Sequence, residues 1–257
     1  MNDRPPLLRA DFVERYDLMI LGSARRELYG DTGFYNVGYW EGDPPTLPEA
    51  CAALVEQHIR RPCFESTHAG WRVLDIGCGL GSGTALIAQR FARARVMGVN
   101  ISLEQLRYAR KHYSQAAYCL MDATRLALPE ASIDAAISVE AAFHFQSRGD
   151  FLSSAYRVLK PGARLVLTDI LFATNEWVGG WAVPEANAQD GLEAYGALCR
   201  ERGFTVEALE DITASTWRGF CAHLRERAAD GAIALDDLAA NLERAAPVYL
   251  IAQLRKT

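Results

Sequence analysis

Several things are missing from this chain of 257 residues, and each absence closes a class of function. No apolar run approaches the roughly 20 residues needed to span a bilayer. The six cysteines, Cys51, Cys63, Cys78, Cys119, Cys199 and Cys221, include no Cys-x-x-Cys pair, which argues against a zinc ribbon or a thioredoxin-like redox site. Charge of one sign is also missing: 27 basic residues against 32 acidic ones give a net charge of -5, without a Lys/Arg cluster. Neither nucleic acid nor an anionic membrane is expected as a partner. No group of His, Asp and Glu has metal-ligand spacing, and no internal repeat or low-complexity tract appears. The opening residues, Met1 to Pro6, lead into no apolar stretch of signal-peptide type, so a reduced, cytoplasmic protein is expected. The sequon Asn100-Ile101-Ser102 is discounted for the same reason.

What is present is a 50% hydrophobic composition and one dense run, Val73-Leu74-Asp75-Ile76-Gly77-Cys78-Gly79-Leu80-Gly81-Ser82-Gly83. An aliphatic strand here ends beside an acid and breaks into alternating glycines before a helical stretch. Glycine suits a sharp turn from strand to helix whose backbone approaches a ligand more closely than any Cβ permits. A dinucleotide site wants Gly-x-Gly-x-x-Gly. From Gly77 the third position is Ser82, from Gly79 it is Thr84, and from Gly81 it is Leu86, so every frame fails. What remains is Asp-x-Gly-x-Gly-x-Gly, an acid two residues before the first glycine, which suits a ligand carrying an ammonium group and no phosphate.

Downstream, the apolar pattern alternates strands with helices, the sign of a parallel sheet covered on both faces. Strands are expected at 71–76, 95–99, 117–120, 133–139 and 163–168, with 204–209 and 248–254 in the tail. Helices are expected at 84–91, from Ser102, and from Asp150 to the Lys160-Pro161-Gly162 stop. The fold class is α/β: a doubly wound, mostly parallel seven-stranded sheet with a helical cap. Residues 1–70 form an N-terminal helical segment and 71–211 the Rossmann-like core, with a tryptophan-rich loop at 172–187. Residues 212–246 form a helical cap insertion of two helices, joined at Asp230-Gly231, and 247–257 the last strand.

The glycine run resembles the first motif of the class I S-adenosylmethionine (SAM)-dependent methyltransferases. The resemblance covers about residues 30 to 170 and implies SAM as cofactor. It places Asp75, Gly77, Cys78 and Gly79 at the methionine half. Asn100 stands where most of the family has an acid for the ribose hydroxyls. The segment Gly98 to Gln105 looks like the subset in which a helical glutamine, here Gln105, shares the ribose, with Ile101 beside it. Ser102-x-x-Gln105 is equally a capping box. Asp122 and Ala123 match the adenine position, and Glu140, after the fourth strand, is expected among the cofactor-binding residues. Phe34-Tyr35-Asn36-Val37-Gly38-Tyr39-Trp40 resembles a segment whose aromatics, Tyr39 and Trp40, close over the cofactor; a ring face attracts a sulfonium by roughly 0.5 to 2 kcal/mol.

At the end of the fourth strand, Glu140-x-x-x-His144 resembles natural-product sugar and polyketide O-methyltransferases, of the rebeccamycin sugar O-methyltransferase type. That likeness implies His144 and Asp169 as catalytic groups flanking an acceptor hydroxyl. An unperturbed imidazole pKa near 6.5 suits a general base worth about 10² to 10⁴ in rate. The other histidines, His58, His68, His112 and His223, are expected on the surface. Phe172, Trp177, Trp181, Trp217 and Phe220 favour a bulky, mostly apolar small-molecule substrate, or else pack the cap or form a homodimer contact. The expected function is methyl transfer to a hydroxyl of a small natural product. C- or N-methylation, and a methyltransferase-fold cyclase or SAM-binding protein, stand as alternatives.

Overall fold

In a computed structural model, residues 7–61, 69–173, 183–184, 187, 191–229 and 233–257 are described, with backbone alone at 7–12, 229, 233 and 234. The expected Trp177, Trp181, His68 and Cys63 therefore lie outside the described residues, as does the Asp230-Gly231 joint.

Seven strands form one sheet in the order β3-β2-β1-β4-β5-β7-β6. The central strands β1 (Arg72–Ile76), β2 (Arg95–Asn100), β3 (Ala117–Leu120), β4 (Ile133–Ser138) and β5 (Leu159–Leu171) run parallel. In the tail, β7 (Val248–Lys256) is antiparallel to both β5 and β6 (Phe204–Asp211). Chain order reverses between β1 and β4, the point at which open parallel sheets bind ligands beyond their strand ends.

The inner strands β1 and β4 are buried on both faces, in keeping with apolar Val73, Leu74, Ile76 and Ala135 to Ile137, while the edge strand β3 is largely open. One face packs Leu74, Leu165 and Leu250 under α6 (Arg148–Val158) and α7 (Leu192–Glu201). The other packs Val73, Val166 and Ile251 under α3 (Leu47–Ile59) and α4 (Ser82–Arg90). A further cluster joins α2 (Ser23–Tyr29), α3, α8 (Trp217–Ala229) and α9 (Ile233–Ala245) into a cap. α1 (Leu7–Leu21) lies against α5 (Leu103–His112).

Local signals set most helix starts. Thr46 caps α3: its Oγ1 accepts from the Glu49 amide and donates to the Glu49 carboxylate at 2.7 Å. Ser102 caps α5, with Glu104 in the first turn and Arg110, Lys111 and His112 in the last, matching the helix dipole.

Three expectations are corrected. Ser147, not Asp150, caps α6: its side chain accepts from the Asp150 amide at 3.1 Å. The Lys160-Pro161-Gly162 stop is absorbed into β5, because α6 ends directly on extended Leu159, which pairs with Ile133 before the register shifts to Ala135 and Arg164. Nor is His58 on the surface: it is fully buried in α3, its Nδ1 is 2.9 Å from the Leu54 carbonyl, and burial pulls its pKa down to about 4.

Candidate active site

The turn after β1 is held by one carbonyl: the Gly77 and Cys78 amides donate to Val99 O at 2.9 and 3.1 Å. Gly77 has φ +83°, and a Cβ there would lie 2.5 Å from that of Ala141, so no larger residue fits. Gly79, at φ +53°, has nothing within 4 Å of the place a Cβ would take. Open space therefore faces the bare backbone at the second glycine, as a ligand cradle requires. Asp75 is buried beneath the turn, accepts from Thr84 Oγ1 at 2.6 Å, and is pushed up to about 6 by burial. Gly33 closes the turn from above, donating to Ser82 Oγ and Tyr113 Oη at 2.9 and 3.0 Å.

At the ends of β2 and β3 the polar side chains hold one another. Asn100 Nδ2 donates to Gln105 Oε1 at 2.8 Å and to the Gly79 carbonyl at 3.3 Å. Gln105 does not complete the capping box, because the Ser102 amide donates to Asn100 Oδ1 instead. Gln105 Nε2 donates to Asp17 Oδ1 at 2.7 Å, and Ser102 Oγ donates to Asp17 Oδ2 at 2.8 Å. Ile101 is 40% exposed beside this group. Asp122 Oδ1 accepts from the amide and hydroxyl of Thr124, which fixes the turn into buried Ala123.

Beyond β4, Glu140 takes φ +49°, rare for a residue with a Cβ. Its Oε2 accepts from the Val37 amide at 2.9 Å and from Tyr249 Oη at 2.7 Å. Burial pushes its carboxyl up to about 8. Its carboxylate thus joins the N-terminal segment to β7. His144 is half-buried at the end of the 3-10 turn Ala142–His144, with the Tyr16 ring 4.8 Å from its own, edge to face.

Asp169 lies within β5, paired with Leu250, and not at the end of the strand. It is fully buried and held by Arg148 Nε and Nη2 at 2.6 and 3.1 Å and by Tyr195 Oη at 3.0 Å. These partners account for both of its oxygens, and its route to His144 runs through the backbone. The Arg148 amide donates to Asn187 Oδ1 at 2.7 Å, and Arg148 Nη1 also donates to the Asn187 carbonyl. Asn187 Nδ2 then donates to the carbonyls of Phe143 and Phe145, at 3.1 and 2.6 Å, one on either side of His144. Arg148 and Asn187 escaped the sequence reading. Arg148 resembles any polar first-turn residue, and Asn187 sits in a segment without periodicity.

Over residues 74–167 the chain matches the family described as a methyltransferase domain. It is 30% identical over 211 residues to the O-methyltransferase resE of Aspergillus sclerotiorum, covering 76% of this chain and 77% of that one. The chain belongs to the SAM-dependent methyltransferases. A second relative of this methyltransferase is the 27-O-demethylrifamycin SV methyltransferase of Amycolatopsis mediterranei, 33% identical over 196 residues, which cover 70% of this chain and 69% of that one. Among solved structures, the 4+2 cyclase SpnF is similar with a TM-score of 0.75 at 22% identity, over 95% of each chain. That likeness is one of fold. The cofactor is S-adenosylmethionine, and solved chains of this fold hold it or its demethylated product.

Two features of the methyltransferase concern its expected site aromatics. Tyr39 and Trp40 have partners outside the glycine turn: Tyr39 Oη donates to Glu41 at 2.6 Å, and Trp40 packs on Gly219, with its ring 5.1 Å from that of His223 on α8. Gly33, farther upstream, makes the contact with the turn. Phe172, Trp217 and Phe220 are buried within the cap cluster, and Trp217 Nε1 donates to the Leu242 carbonyl at 3.1 Å. Of the roles expected for them, they fill that of packing the cap. Among the described residues, no group of three His, Cys, Asp or Glu could hold a metal, and no helix is long and apolar enough to cross a membrane.

Proposed function

We propose that this methyltransferase acts on a hydroxyl of a small natural product, with His144 as general base. The observation that carries the reading is His144 itself: it stands beyond β4 at the sheet's ligand-binding end, and Asn187 grips the carbonyl on either side of it. The names of the O-methylating relatives point the same way. The Glu-x-x-x-His spacing supports the finer likeness to the rebeccamycin type.

When bound, SAM supplies an electrophilic methyl group on a sulfonium, which leaves as a neutral thioether. The bare backbone at Gly77 and Gly79 would hold the amino-acid half above Asp75, while Asn100 and Gln105, with Asp122 and Ala123, would hold the nucleoside. The imidazole of His144 takes the acceptor's proton as its oxygen becomes nucleophilic, and positioning supplies most of the remaining rate. Asp169 acts as a positioning residue: through Arg148 and Asn187 it fixes the backbone that aims His144.

Replacing His144 with Ala should lower the turnover of a hydroxyl acceptor by about 10²-fold while leaving SAM affinity, read by calorimetry, within twofold. Undiminished turnover would remove the histidine from the chemistry and with it the preference for O-methylation over C- or N-methylation.

A further inference from the structure

The nucleoside end of the site has no acid at the end of β2, since Asn100 stands there with its amide tied into the fold. Nδ2 donates to Gln105 and to the Gly79 carbonyl, and Oδ1 accepts from the Ser102 amide. The contact with Asn100 fixes the orientation of the Gln105 amide, which then presents Nε2 to Asp17. Asp17 comes from α1, 85 and 88 residues before the two side chains it binds, and it brings a carboxylate to a group otherwise made of amides and a hydroxyl.

We propose that Asp17 supplies the carboxylate that recognises the vicinal diol of the cofactor's nucleoside, which makes α1 part of the cofactor site. A vicinal diol presents two O–H donors. Asn100 Oδ1 accepts from the Ser102 amide and Gln105 Oε1 from the Asn100 amide, which leaves each neutral oxygen one acceptor position, whereas the Asp17 carboxylate has about four, of which Gln105 and Ser102 occupy two, so one group can take both diol hydroxyls. Hydrogen bonds to an ionised acceptor are also roughly twice as strong as neutral ones. Space lies beside this network: a cleft of about 620 Å³ runs between α1 and the ends of β2 and β3, lined by Glu14, Asp17, Leu18, Ile101, Glu104 and Leu120, and of its three acids Asp17 is the one bonded to Gln105 and Ser102. Leu18, Ile101, Leu103 and Leu120 are 71%, 40%, 41% and 53% exposed along it, apolar surface next to the polar network. The inference depends on the cofactor's identity and not on that of the acceptor.

Calorimetry of the full chain with S-adenosylhomocysteine and with its 2′-deoxy analogue tests it. Asp17→Asn keeps side-chain volume and most packing, and it should weaken S-adenosylhomocysteine at least 10-fold while narrowing the preference over the deoxy compound. Asn100→Asp in the native background should also weaken binding, since it sets two carboxylates on the single Gln105 amide. Combined with Asp17→Asn it should restore affinity to within threefold of native. Equal losses for both ligands would overturn the proposal by showing that Asp17 only anchors α1. So would binding within twofold of native in Asp17→Asn, or a double variant no better than the worse single one.

Discussion

The two ends of the site are built in opposite ways. The glycine turn is held within one strand-helix-strand unit: Gly77 and Cys78 hang on Val99 in the neighbouring strand, and Asp75 is held by Thr84, nine residues away, with Gly33 added from upstream. The acceptor end is made of long-range contacts. Glu140 ties together residues 103 and 109 positions away, and Arg148 binds Asp169 and Asn187, 21 and 39 positions away. A cofactor shared by a whole family can be served by a short backbone motif. An acceptor particular to one enzyme is met by side chains that only folding brings together.

That contrast can be broken most directly at Arg148. Arg148→Met leaves the Asp169 carboxylate without its countercharge in a fully buried place, and should destabilise the chain by about 3 to 5 kcal/mol in urea titrations. Adding Asp169→Leu should recover half of that loss or more, because the stranded charge goes with it. A loss under about 1 kcal/mol would mean that the acceptor side does not rest on this pair.

Asn187→Ala is expected to cost between about 10- and 100-fold in kcat by loosening the backbone on both sides of His144, with acceptor KM and SAM affinity held near native. A loss confined to KM would make Asn187 a substrate contact, not a positioning residue.

A smaller effect concerns pH. The Glu140 carboxyl is raised by burial to about 8 in the folded chain, against about 4.3 when unfolded. Between those values the folded chain holds a proton that the unfolded chain has lost. The stabilisation is full below about pH 4 and is lost as pH rises through 8. Buried His58, lowered to about 4, acts in the opposite direction only below about 6.5, the unfolded imidazole value. From pH 6.5 to 8, then, urea midpoints should fall by an amount equivalent to roughly 1 to 2 kcal/mol. Glu140→Gln should flatten that fall, and a slope unchanged in the variant would assign it elsewhere.

The smallest change lies outside both ends. Thr46→Ala removes the α3 cap bond to the Glu49 amide and should cost about 1 kcal/mol in thermal unfolding, with SAM affinity unchanged. Altered affinity would show that the cap helices communicate with the turn.

The amino-acid order settled the α/β alternation, the glycine turn and the helix cap at Ser102. Each follows from short-range sterics and hydrogen bonding that a few adjacent residues dictate: an acid and alternating glycines after an aliphatic strand, or a hydroxyl three residues before the amide it caps. Tertiary structure decided what Asp169, Trp40, Trp217 and His58 do. In sequence Asp169 and Trp40 read as site residues, Trp217 as substrate wall or cap packing and His58 as a surface residue, and in the fold Asp169 is half of a buried ion pair, Trp40 packs on Gly219, and Trp217 and His58 lie in the interior. Partnership and burial depend on what distant segments bring into contact, as with Asp17 on Gln105 or Asn187 around His144, and no local pattern encodes those encounters.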